Sequence, residues 1–172
     1  SKPYTKFIPI PALEIPMIRL GVTFFLFAAL VAGVASAQGP AAPFHACDKL
    51  AGNPIDPDHV GPGVPTFAIN GIPAIEACLA ALEQYPGEAR FQFQLGRAYR
   101  QIRDYELAVR WYSAAADQAY AGAQNSLGVM YSRGEGVVEN CTTAAHWFEL
   151  AAAQGYPAAI RNLGTLSCVR LA

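Results

Sequence analysis

One stretch of this sequence occurs twice. Trp111-Tyr112-Ser113-Ala114-Ala115-Ala116-Asp117-Gln118-Ala119-Tyr120 returns as Trp147-Phe148-Glu149-Leu150-Ala151-Ala152-Ala153-Gln154-Gly155-Tyr156, 36 residues later. Leu-Gly recurs at 95–96, 127–128 and 163–164, and Tyr99 returns as Tyr131 after 32 residues. Self-similarity at a period of roughly 20–50 residues marks a stacked array, in which each unit buries its apolar face only against its neighbours. Each unit reads as two helices. Over 121–132, Leu127, Val129, Met130 and Tyr131 predict a helix with Gly128 at a point of close approach. A glycine there costs about 1 kcal/mol of helix propensity, so packing must require it. A second helix is predicted from Thr142 to Gln154, where Ala144, Ala145, Phe148, Ala151 and Ala152 form an inward stripe at spacings of three and four. Gly155 then supplies a left-handed C-terminal cap. Residues 133–138, Arg-Gly-Glu-Gly-Val-Val, form the turn between the two helices. The fold class is all-α: a short α-solenoid of antiparallel helix pairs.

These residues carry a family resemblance. Residues 121–137, Ala-Gly-Ala-Gln-Asn-Ser-Leu-Gly-Val-Met-Tyr-Ser-Arg-Gly-Glu-Gly-Val, with Ala144-Ala145-His146-Trp147-Phe148-Glu149-Leu150-Ala151-Ala152-Ala153-Gln154-Gly155, resemble the Sel1-like repeat. That repeat is a relative of the tetratricopeptide repeat with a longer turn between its helices. The unit 88–120 lacks the Gly-x-Gly-Val turn; its Leu95, Gly96, Tyr99, Ala108, Tyr112 and Ala115 are more similar to a plain tetratricopeptide repeat. Residues 157–172 resemble the first helix of a third unit, and 72–85 the second helix of an earlier one. The resemblance implies a scaffold or adaptor for protein–protein interaction.

The other half of the chain is different in kind. Of 13 prolines, only Pro157 lies beyond Pro86. Residues 1–16 are read as an upstream segment outside the mature protein. Met17-Ile18-Arg19, the apolar run Leu20 to Val34, and Ala35-Ser36-Ala37 follow the basic, apolar, small-x-small order of a secretory signal peptide, here 17–37. The apolar stretch is about the minimum length for a membrane span. No basic stop-transfer cluster follows it, which favours a cleaved signal over an anchor; the membrane would be touched only through an uncleaved signal. No Cys stands at the cleavage point, which argues against a lipoprotein. Residues 38–71 are predicted to be an irregular Pro/Gly-rich segment, and 72–172 the helical repeat domain. The expected location is periplasmic or secreted.

The predicted mature chain contains Cys47, Cys78, Cys141 and Cys168. An even count in an exported chain suggests two disulfides, with three connectivities open. Cys141 and Cys168 flank the Gly155 turn at 14 and 13 residues, so antiparallel helices would bring them roughly level. That pairing is favoured, and it leaves Cys47–Cys78 to staple the irregular segment to the first helix.

No constellation for catalysis emerges. There is no C-x-x-C, H-E-x-x-H or Gly-x-Ser-x-Gly, and Gly134-Glu135-Gly136 lacks the Lys and Ser/Thr of a phosphate loop. Asp56-x-Asp58-His59 reads as a solvated turn rather than a cation site. The chain is therefore expected not to be an enzyme, to need no metal or cofactor, and, at net charge −1, not to bind nucleic acid. Tetratricopeptide-type stacks bind along the first helix of each pair. By that resemblance the groove positions are Arg90, Phe93, Arg97, Arg100 and Gln101, then Asn125, Val129, Ser132 and Arg133, then Arg161 and Thr165. Residues 38–172 hold nine Lys/Arg against twelve Asp/Glu, yet five of these eleven positions are arginine. Arginine forks match carboxylates, and Asn125 is suited to a peptide backbone. The predicted ligand is an acidic or C-terminal-carboxylate peptide, held by Arg90, Arg97, Arg100, Asn125, Arg133 and Arg161. Two alternatives stand beside it: a cell-envelope enzyme or cell-wall ligand-binding protein, and a structural homo-oligomer module.

Overall fold

Alanine at the facing positions lets the helices of this chain approach closely, and the helices are placed by clear start and stop signals. The computed structural model describes residues 42–166, all within one compact unit. Among them are seven α-helices and no strand: α1 (Ala46–Ala51), α2 (Gly71–Gln84), α3 (Ala89–Gln101), α4 (Tyr105–Ala116), α5 (Ala121–Arg133), α6 (Cys141–Ala153) and α7 (Pro157–Thr165). Asp104 Oδ1 accepts the Leu107 amide at 3.2 Å to start α4, and Asn140 Oδ1 accepts the Thr143 amide at 2.9 Å to start α6. Such caps satisfy amides that the helix itself leaves unpaired. Pro157 opens α7 at a position where a missing N–H costs nothing. Gly134 (φ 66°) and Gly155 (φ 78°) take the left-handed conformation after α5 and α6. Ala119 (φ 62°) stands at the equivalent point after α4, where it takes the same conformation without glycine's freedom.

Sequential helices pack as pairs, α3 with α4 and α5 with α6 most extensively, and α2–α3, α4–α5 and α6–α7 join the pairs into a short solenoid. Three core layers follow one another. The first, between α1, α2 and α3, is built on Phe91, Leu95, Ala74, Ala81 and Ala98. The second, around α3, α4 and α5, contains Phe93, Tyr112, Leu127 and Met130. The third, around α5, α6 and α7, contains Phe148, Ala144, Ala151 and Tyr156. The repeat is visible in the contacts. A Cβ on Gly96 would lie 2.6 Å from the Tyr112 ring, and one on Gly128 would lie 2.5 Å from the Phe148 ring. Gln118 donates to Gln92 Oε1 at 2.8 Å, and Gln154 to Gln124 Oε1 at 2.7 Å. First-helix partners are thus 32 residues apart and second-helix partners 36, as the sequence offsets require.

Within 38–71 the structure places α1 and a short 3-10 turn, Thr66–Ala68. Helix α1 packs on α2 and α3, where the first helix of an earlier pair would lie. Cys47 is bonded to Cys78, with Cα atoms 4.6 Å apart, fastening α1 to α2. Cys141 is disulfide-bonded as well, while Cys168 lies outside the described residues. The upstream segment and the signal peptide, 1–37, also lie outside them. No helix among the described residues is long and apolar enough to cross a membrane.

Candidate functional site

The arginines chosen from the repeat pattern divide into two groups. Arg90 is 5% exposed and Arg97 is 3% exposed. The Arg90 guanidinium forms an ion pair with the fully buried Asp48 at 3.2 Å and donates to the carbonyls of Ala42 (2.8 Å) and Pro43 (3.2 Å). Asp48 is held in turn by Gln94 Nε2 at 2.9 Å and the His45 amide at 2.8 Å. Arg97 donates to the carbonyl of Ala51 at the end of α1, to the Val64 carbonyl at 2.7 Å and to Thr66 Oγ1 at 3.2 Å. A guanidinium has five donors in a fixed fork, and these two forks gather the backbone of the segment 42–66 onto α3. The expectation that Arg90 faces an external ligand is corrected here: Asp48 and the chain's own carbonyls take its donors. Arg97 makes three such bonds to the chain and also lines the cavity described below. Phe93 is likewise a core residue, its ring 5.9 Å from Tyr112 and 5.1 Å from Tyr120.

The remaining positions are accessible. Arg100 is half-buried and pairs with Glu135 at 2.9 Å; Glu135 also meets the exposed Arg133 at 3.5 Å. Two guanidinium groups share one carboxylate, so this corner keeps a positive excess. Asn125 is half-buried, its Oδ1 accepting from Asn162 Nδ2 at 2.9 Å. Val129 is half-buried; Ser132 Oγ donates to its carbonyl at 2.9 Å. Arg161 and Thr165 are exposed on α7, and Gln101 is half-buried on α3.

A cavity of about 170 Å³ joins several of these residues. Its walls are Phe93, Arg97 and Arg100 from α3, Tyr112 from α4, Asn125, Ser126 and Val129 from α5, and Tyr156 and Ala158 at the start of α7. Asn53, Ile55 and Thr66 of the N-terminal segment close it from the other side. A second hollow of about 260 Å³ continues past Ile55, Tyr156 and Ala158 to Arg161. The structure therefore brings Arg97, Arg100 and Asn125 to one cavity and Arg161 to its extension. Arg90 lines neither hollow, and Arg133 is linked to the site only through Glu135, which pairs with Arg100.

Sequence reasoning missed Asp56. The turn read as solvated exposes Asp58 and His59 but buries Asp56 to 2% exposure. Asp56 Oδ1 accepts the Asp58 amide at 3.2 Å, while Oδ2 has no well-formed hydrogen bond. Burial raises its carboxyl above the ordinary aspartate range, and the nearby Tyr120 hydroxyl pulls it partly back. Burial likewise pushes the Tyr112 and Tyr156 phenols up to about 12 and raises Tyr120 further, so all three remain hydroxyls at neutral pH. Burial lowers Arg97, an effect the surrounding tyrosines and Asp56 oppose. The only sequence signal for this cluster is Gly122: a Cβ there would sit 2.9 Å from Asp56 Oδ2. Among the described residues no group of three His, Cys, Asp or Glu side chains is placed to hold a metal ion.

The model for the Sel1 repeat family matches residues 89–120 and 121–156. The first unit, closer in its turn to a plain tetratricopeptide repeat, is thus matched along with the second. No curated protein matches the chain. Sel1 repeats are scaffolds for protein–protein interaction and typically non-catalytic.

Proposed function

We propose that this chain, whose residues 89–156 are two Sel1 repeats, is an exported adaptor that holds an acidic or C-terminal-carboxylate peptide along the first-helix face of α5 and α7. The cavity bounded by Arg97, Arg100, Asn125, Ser126 and Tyr156 is the observation that carries this reading. It offers cationic and neutral donors above an apolar floor of Phe93, Val129 and Ala158. That mixture suits an extended segment, whose carboxylate meets guanidinium groups while its backbone meets an amide. Arg161 extends the positive lining beyond the cavity. A periplasmic or secreted location accords with the disulfide Cys47–Cys78, since such bonds persist in oxidising compartments.

The test is fluorescence anisotropy with labelled octapeptides that carry Glu residues and a free C-terminus, set against Gln counterparts with an amidated end. The Glu peptide should bind more tightly, with affinity falling as salt rises. Asn125→Ala and Arg161→Glu should each weaken it about tenfold, near 1.4 kcal/mol. Equal binding of the two peptides, or indifference to both substitutions, would overturn the reading. Arg97→Glu is not a fair probe, because a reversed charge at a buried fork would dismantle the fold.

A further inference from the structure

Residues 52–64 form a loop whose ends nearly touch, the Val64 amide donating to the Gly52 carbonyl at 2.6 Å. Compact loops with closed necks are Ω-loops. The neck is firmly anchored. Arg97 binds carbonyls on both sides of it, at Ala51 and Val64, and Cys47–Cys78 secures the helix that precedes it. The tip is held by much less. Asn53 Nδ2 donates to the Tyr156 hydroxyl at 3.2 Å, Asp56 is buried against Gly122, and Gly61 packs on the Phe44 ring. Ile55, Asp58, His59 and Pro62 are exposed.

Asp56 is poorly explained by stability. A buried carboxylate is ordinarily paired or fully hydrogen-bonded. Here no cationic group lies within ion-pair distance among the described residues, and one oxygen lacks a well-formed bond. Its surroundings nevertheless offer a carboxylate several partners: the Tyr120 and Tyr156 hydroxyls, the first turn of α5 at Gly122, and the Arg97 charge further off. Gly122 leaves the room that a side chain would fill. The receptor suits the group; the tethered group fits the receptor imperfectly.

We propose that Tyr120, Gly122, Tyr156 and Arg97 form a carboxylate subsite that Asp56 fills as a built-in occupant, and that an aspartate or glutamate of an extended partner segment replaces it on binding. The proposal rests on the first-helix face being the interaction face. Displacement requires only the tip of the loop to leave, since the neck, α1 and the disulfide stay in place. The Asn53–Tyr156 bond breaks with it, which opens the cavity wall formed by Asn53 and Ile55.

The experiment uses the full chain with residues 53–63 replaced by a short Gly/Ser turn across the closed neck. The probe is a labelled peptide of the sequence of residues 52–64, with a second version carrying Asn in place of Asp56 and Asp58 left unchanged. The loop-replaced chain should bind the Asp peptide about tenfold or more tightly than the unaltered chain does, and about tenfold or more tightly than it binds the Asn peptide. Equal affinity for both peptides, or no binding of either by a folded loop-replaced chain, overturns the proposal. Should that chain not fold, Asp56→Asn in the full chain serves instead. It should raise affinity for the Asp peptide several-fold, and an unchanged affinity overturns the proposal. The two readings fail separately. If the Glu octapeptide binds the unaltered and loop-replaced chains equally, the adaptor reading stands and the occupant is rejected. If only the loop peptide binds, the subsite filled by Asp56 stands, while its replacement by a partner and the acidic-partner reading both fall.

Discussion

The first helices of the two repeats, α3 and α5, occupy the same place in their units and are used in opposite ways. On α3, Arg90 and Arg97 are buried beneath the chain's own N-terminal segment, their donors taken by its carbonyls and by Asp48. On α5, Asn125, Ser126 and Val129 are half-buried along a cavity. A repeat position therefore fixes where a side chain stands, not whether it is available. What decides is the rest of the chain: backbone at 42–51 and 64–66 is bonded onto α3, whereas the tip of the 52–64 loop reaches α5 at Gly122. An arginine that clasps backbone belongs to the architecture, whereas one that shares a carboxylate at the surface stays accessible.

The sharpest test of this contrast sets Arg90→Ala against Arg133→Ala. Removing Arg90 leaves Asp48 buried without its countercharge and should cost about 3–5 kcal/mol in urea denaturation. Removing Arg133, which is 61% exposed, should cost no more than about 0.5 kcal/mol. Similar losses for the two would show that the covered and open faces are energetically alike. Next is the bond that keeps the cover in place. The Cys47→Ala/Cys78→Ala double variant frees a 31-residue separation and should lose about 2–4 kcal/mol. Amide exchange should accelerate mainly in α1 and α2 while α5 and α6 stay protected, because a solenoid couples chiefly through neighbours. Uniform acceleration would contradict that.

Glycines give a smaller effect with opposite signs. Gly128→Ala drives a methyl to within 2.5 Å of the Phe148 ring and should cost about 1–3 kcal/mol. Gly164, at the equivalent position on α7, has nothing within 4 Å among the described residues, so Gly164→Ala should gain about 0.5 kcal/mol from helix propensity. The smallest effect concerns Asp56. Because burial raises its carboxyl in the folded chain, ionisation penalises folding: its contribution is full below the unfolded aspartate pKa, about 3.9, and is lost as pH rises through the folded value. Asp56→Asn should therefore match the unaltered chain in Tm near pH 3 and equal or exceed it at pH 7. A lower Tm at pH 7 would place a stabilising partner on that carboxylate.

The sequence makes the repeats legible because their contacts are local and periodic. The Gly96–Tyr112 and Gly128–Phe148 notches and the two Gln–Gln pairs follow directly from offsets of 32 and 36. The left-handed residues are legible only in part: Gly155 announces its turn, whereas Ala119 adopts the same backbone unannounced. The cover over α3 could not be read. It joins residues 33–48 apart through carbonyl acceptors, which every residue possesses and no pattern marks. An arginine fork looks the same in sequence whether it will hold a foreign carboxylate or its own chain. Asp56 was hidden for a related reason. Its prolines and charged neighbour are those of an exposed turn, and its burial is decided 66 residues away, at Gly122.

The closed neck of the 52–64 loop has a quantitative consequence. A segment fixed at both ends samples a small volume, so in the proposed subsite the Asp56 carboxylate would compete at an effective concentration of about the millimolar range, that of a short tether. Every free acidic group in the surroundings competes against that standing level. On the proposal above, a lone carboxylate would lose that competition, and a segment that also engaged Asn125, Arg100 and the Arg161 hollow would win it. The loop would then set a threshold, restricting a face otherwise open to acidic chains in general to those that match it at several points.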